Sequence, residues 1–90
     1  MWDENKRKLN LKKHGLDFVR AEEVLDGIIV MWTDERFEYG EARFNSLEFL
    51  RGLVVHVSHA ERGDIIRVIS MRKATSNEAK IYFDQISENG

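Results

Sequence analysis

Between Glu41 and Met71 the chain alternates apolar and polar residues in three short runs, with only a few residues between one run and the next. In Glu41–Phe49 the period of two sets Ala42, Phe44 and Ser46 on one face and Glu41, Arg43, Asn45 and Leu47 on the other. Leu53–His59 likewise sets Leu53, Val55 and Val57 against a more polar face of Val54, His56 and Ser58. The third run, Ile65–Met71, is rich in Ile and Val and carries Arg67 within it. The intervening turns, Leu50–Gly52 and Ala60–Gly63, each contain a glycine. Parallel neighbours need a crossover of a dozen residues or so, so connections this short restrict the three strands to an antiparallel meander. Ile28–Trp32, β-branched and preceded by Gly27, predicts a further strand, with the polar Thr33–Gly40 as a long turn.

Helix signals flank this block. Asp3 is suited to cap a helix running to about Lys13, with Gly15 as its left-handed stop. Lys6, Asn10 and Lys13 share a stripe of that helix beside Trp2 and Leu9; the apolar face is weak, so the helix should drape over the domain. Asp17 predicts the start of a second helix, with Phe18, Ala21, Val24 and Leu25 at helical spacing and Gly27 past its end. Thr75 and Glu78 form a capping box, in which each side chain satisfies the other's backbone amide. Behind it, Ala79, Tyr82, Phe83 and Ile86 make a packing stripe. The expected fold is α+β: N-terminal helices, an antiparallel sheet of about four strands, and a C-terminal helix packed on the sheet.

Ninety residues suffice for one domain, 1–90, with a thin core. There is no cysteine for disulfides or thiolate metal sites, so stability rests on the 42% hydrophobic fraction. No signal peptide and no span of about 20 apolar residues is evident, which points to a soluble cytoplasmic protein. The net charge of −2 and pI near 5.9 argue against a general nucleic-acid coat. Charge is segregated, however: Lys6, Arg7, Lys8, Lys12, Lys13 and His14 crowd the first helix. That pattern suits either a solvated helix face or one phosphate-bearing ligand.

No zinc-hydrolase motif, phosphate-cradling glycine loop or serine elbow occurs, and His14, His56 and His59 lack strong metal-ligand spacing. His56 and His59 should face opposite sides of their strand. No cofactor is implied. What remains is a set of cations and proton-transfer groups: Lys6, Lys13 and His14 near the first helix, Glu41 and Arg43 on one strand, and Arg62, Arg67 and Arg72 around the last hairpin. Brought together, they supply what metal-free RNA cleavage requires: a base for the 2′-OH, cations for the pentacovalent phosphate, and an acid for the leaving oxygen. A dry, unpaired guanidinium is costly, so Arg67 and Arg72 either lie on a solvated face or point at an anion. On a regular strand they point to opposite faces. Sharing a site requires a bend or bulge, for instance near Ser70.

These residues also carry a resemblance. The opening Trp2, Asp3, Lys6, Asn10, Lys13, His14, Gly15 and Phe18, the element Gly40, Glu41 and Arg43, and the closing run Glu61–Ala74 with Glu78 and Tyr82 resemble the BrnT toxin family, in order and over nearly the whole chain. The resemblance implies a RelE-like fold and a type II toxin whose ribonuclease activity inhibits translation. It further implies a BrnA-like ribbon-helix-helix antitoxin, a heterotetramer, and contact with DNA only through that antitoxin. Carried onto matching positions, it makes Arg67, Arg72, His14 and Glu41 the catalytic candidates and Lys6, Lys13, Arg43 and Arg62 the RNA-binding ones. Ala60 departs from the small hydroxylated residue common at that place in the family. A start at Met1–Trp2 leaves little room for a leading strand. The competing reading is a RelE-like module without catalysis that only partners a DNA-binding antitoxin. A metal-dependent hydrolase is a more distant third.

Overall fold

The computed structural model describes residues 1–21, 30–38 and 41–89, with the backbone alone described for 34–38, 41, 88 and 89. Helix α1, Glu4–His14, begins where the Asp3 carboxylate accepts from the amides of Asn5 and Lys6, at 2.8 and 3.3 Å. It ends at Gly15, whose φ of 71° lets its N–H reach back to the Leu11 carbonyl. As its weak apolar pattern predicts, the only buried residue of α1 is Asn10. Asp17 caps a 3₁₀ turn over Phe18–Arg20. Val24, Leu25 and Gly27, read as the rest of a second helix, lie outside the described residues. The plural N-terminal helices expected are therefore, among the described residues, one α-helix and one 3₁₀ turn.

Strands β1 (Val30–Glu38), β2 (Glu41–Leu50), β3 (Leu53–Arg62) and β4 (Ile65–Lys73) form one antiparallel sheet in sequence order, the expected meander. The strands outrun their sequence boundaries. Thr33–Glu38, expected as a turn, continues β1 because its backbone pairs with β2, whatever its polar side chains prefer. Ala60–Arg62, also expected as turn, completes β3, and the loop shrinks to Gly63–Asp64 with Gly63 at φ 61°. The β2–β3 loop is the two-residue Arg51–Gly52 with φ of 50° and 87°, the paired left-handed geometry that matches strand twist.

The sheet is covered on both faces. On one, Leu50, Val55, Val57, Val68 and Met71 pack with Phe18 and Ala21, helped by Trp2, Leu16 and Leu53. On the other, helix α2, Ser76–Asn89, lays Tyr82 and Ala79 over Leu47, Val54, Val30 and Ala74. The packing stripe of α2 is only half used: Phe83 is 50% and Ile86 36% exposed, contrary to the expected full stripe. The outer edge of β4 is occupied in two places. The Val68 N–H donates to the Met1 carbonyl at 2.8 Å, and Trp2 forms an isolated parallel bridge with Val68. Further along, the Asn10 side chain pairs with both backbone groups of Met71, donating at 2.7 Å and accepting at 3.1 Å. No described helix is long and apolar enough to cross a membrane.

Candidate active site

The decisive local feature is a break in the alternation of β4. Ser58 pairs with Ser70 and His59 with Val68, so Ile69 has no partner across the ladder. This is the bulge that a shared site for Arg67 and Arg72 requires. Beyond it, Arg67 stands opposite Ala60, and Arg72 opposite His56, on the same face of β3. Since Arg43 pairs with Ala60 from the other side, Arg43, Ala60 and Arg67 lie in one row across the sheet. The next row is Trp32, Asn45, Ser58 and Ser70, followed by Val30, Leu47, His56 and Arg72. Helix α2 covers Val30 and Leu47 at the end of this face. The rest is a polar strip: Arg43, Arg67 and Arg72 beside His56, with the Ser58 hydroxyl donating to Asn45 at 2.8 Å.

Arg72 is already engaged. Its two terminal nitrogens donate to the Glu78 carboxylate at 2.8 and 3.0 Å, a two-point fork from β4 to the first turn of α2. The same carboxylate accepts the Thr75 amide at 2.9 Å, while the Glu78 amide donates to the Thr75 hydroxyl, completing the expected capping box. Hydrogen bonding to Arg72 first, and to the Thr75 amide to a lesser degree, holds the Glu78 carboxyl down at about 2. His56 places Nε2 4.0 Å from this carboxylate and meets the edge of Trp32, ring centroids 5.6 Å apart. Burial, with the nearby Arg72 charge second, pushes the His56 imidazole below its usual range and favours the neutral ring. The place of His56 beside Arg72 becomes visible only once the strands are paired.

The other candidates divide. Arg62, on the same alternation as Ala60, is exposed at the end of β3. The backbone of Glu41 starts β2, and its side chain lies outside the description. Lys6, Lys13 and His14 do not join the arginine face: they project from α1 and line a groove of about 220 Å³ with Leu9, Ile69 and Ser70. His14 and Arg67 or Arg72 are thus presented on different sides of the β4 edge. His59 faces away from His56, as expected, with Nε2 3.1 Å from the Ser46 hydroxyl and its ring stacked on Phe44. Among the described residues no three acidic or histidine side chains gather as a metal site.

A family model described as "Ribonuclease toxin, BrnT, of type II toxin-antitoxin system" matches residues 2–78. The chain belongs to the BrnT family. The matched span runs from Trp2, on the β4 edge, to Glu78, which holds Arg72, and so includes every described strand and both faces of the sheet. No curated protein matches the chain. Membership makes this a ribonuclease toxin of a type II toxin–antitoxin system, a class that implies an antitoxin partner. Of the charged residues in this BrnT chain, Arg43, Arg67 and Arg72 lie on the arginine face, and Lys6, Lys13 and His14 line the α1 groove at the β4 edge.

Proposed function

We propose that this BrnT chain is an endoribonuclease that cuts RNA by attack of a 2′-oxygen on the adjacent phosphorus. The new P–O2′ bond forms as the P–O5′ bond breaks; the 2′-OH proton passes to a base and the 5′-oxygen gains one from an acid. The observation that carries this reading is the alignment of Arg43, Arg67 and Arg72 on one face by the β4 bulge. Guanidinium groups match phosphate oxygens in geometry and charge, so they stabilise the pentacovalent phosphate without a metal ion. Arg67 and Arg43, flanking the small Ala60, grip the scissile phosphate, and Arg72 adds charge from two rows along the same face. His56, with its neutral form favoured, stands opposite Arg72 on the same face and is the candidate there for proton transfer; His14 acts from across the edge, and Glu41 is a second base. The outcome is inhibition of translation in the cytoplasm.

The meander with a covering C-terminal helix supports a RelE-like classification. The exposed Phe49, Phe83 and Ile86 supply apolar surface for an antitoxin, in keeping with a BrnA-like ribbon-helix-helix partner, a heterotetramer and contact with DNA only through that partner. Purified protein should cleave RNA in the presence of a chelator, and Arg67→Ala and Arg72→Ala should each lower the rate about 10²-fold, the usual loss for one transition-state donor. Cleavage that survives both substitutions would falsify the site assignment. The fork between Arg72 and Glu78 favours a second reading, a module without catalysis that serves only as antitoxin partner, because a carboxylate fills the place a phosphate would take. Induced expression separates the two: such a module leaves growth and bulk translation untouched.

A further inference from the structure

The β4 edge is closed at Val68 by Met1 and at Met71 by Asn10, and between these clamps stand Ile69 and Ser70. Ile69 is the bulged residue, and Ser70 belongs to two surfaces: it pairs with Ser58 on the arginine face, and it lines the groove under α1. That groove is lined from α1 by Lys6, Lys13 and His14, while Leu9 of the same helix and Ile69 of β4 add apolar surface. Arg7, by contrast, is tied to Glu4 and Asp17, so it contributes little charge to an outside ligand. No described carboxylate pairs with Lys6 or Lys13.

From this juxtaposition we propose that the substrate is single-stranded RNA that crosses the β4 edge at Ile69–Ser70, with the scissile phosphate on the arginine face and a flanking nucleotide in the α1 groove. Lys6 and Lys13 hold the flanking phosphates, and Leu9 and Ile69 provide the apolar surface for an unstacked base. A rigid duplex cannot fold round a strand edge, so the geometry selects against paired RNA. This inference rests on the ribonuclease reading for the identity of the ligand, but its test does not depend on cleavage.

The test is fluorescence anisotropy with a fully 2′-O-methylated oligonucleotide, which has no attacking hydroxyl and stays intact whether or not the protein cuts RNA. Lys6→Gln/Lys13→Gln should weaken single-strand binding about tenfold or more near 0.1 M salt and reduce the slope of log affinity against log salt by about 1.4, the counterions of two contacts. Lys8→Gln/Lys12→Gln, which removes the same charge from the same helix outside the groove, should change the slope little; circular dichroism of both variants checks that α1 is retained. The annealed duplex should bind more weakly than the single strand. Unchanged affinity in the groove variant, equal losses in both variants, or preference for the duplex overturns the proposal. The first outcome leaves the groove to an acidic segment of the antitoxin. Failure of the wild type to cleave unmodified RNA sinks the ribonuclease reading instead and is scored in a separate assay.

Discussion

Glu48 sits on the α1 face of β2 at 2% exposure, and neither carboxylate oxygen makes a hydrogen bond of ordinary geometry. Burial pushes its carboxyl up to about 7, with only a weak opposing pull from Ser46 two residues earlier on the same face. A carboxyl with a raised folded value contributes stability that is complete below its unfolded value of 4.5 and is lost as pH rises through about 7. Glu48→Gln should therefore gain on the wild type by on the order of 3 kcal/mol between pH 4.5 and 8, read from urea unfolding at several pH values. A difference that does not vary with pH excludes the buried acid. His59 and His56, both pushed down by burial, work in the opposite direction: their contribution is present above 6.5 and lost as pH falls. Their effect is common to both proteins and cancels in the difference. Alternation alone sets Glu48 with Phe44 and Ser46, so its face was legible; its burial depends on packing. Ala60 stands between Arg43 and Arg67 in the register of the sheet.

At the scale of elements, the joint between β4 and α2 is built on one side chain. Glu78 closes the capping box with Thr75 and holds Arg72 through two bonds, so the start of the helix and the setting of a candidate-site arginine are the same interaction. Glu78→Ala should destabilise the protein by about 1–3 kcal/mol at neutral pH. Because the folded value of this carboxyl is depressed, its contribution is present above 4.5 and lost as pH falls through about 2. Thermal unfolding of the wild type and variant should therefore converge in strong acid; a gap that persists there excludes the ion pair as its origin. The caps at Asp3, Gly15 and Thr75 were legible because each is a contact within a few residues. The second half of β1 was not: Thr33–Glu38 carries loop-like composition, and only pairing with β2 makes it a strand. The bulge was legible as a requirement of two arginines an odd number apart. Its position at Ile69 follows from the pairing of Ser58 and His59.

For the whole molecule, β2 and β3 lie at the centre of the sheet with an apolar cluster on each side, one completed by Phe18 and the other by Tyr82. Helix α1 adds little burial beyond Asn10 and is held by polar links to β4 and by Arg7 bridging to Asp17. Opening free energy scales with buried contacts, so amides of Asn45–Glu48 and Val54–Val57 should exchange slowest and those of α1 much sooner, by mass-spectrometric hydrogen exchange. Protection in α1 equal to that in β2 would contradict this hierarchy. By itself the sequence determined the α+β class, the meander, the helix caps and the opposed faces of His56 and His59, since all of these follow from periodicity or contacts local in the chain. It also named Arg43, Arg67 and Arg72 as candidates. Only the tertiary structure decided that these share one face with His56, that Glu78 holds Arg72, and that Lys6, Lys13 and His14 stand across the β4 edge. The physical reason is that alternation fixes sides only along an unbroken strand. Once Ile69 drops out of the ladder, the side that each later residue faces is set by hydrogen-bond pairing with a strand more than ten residues away.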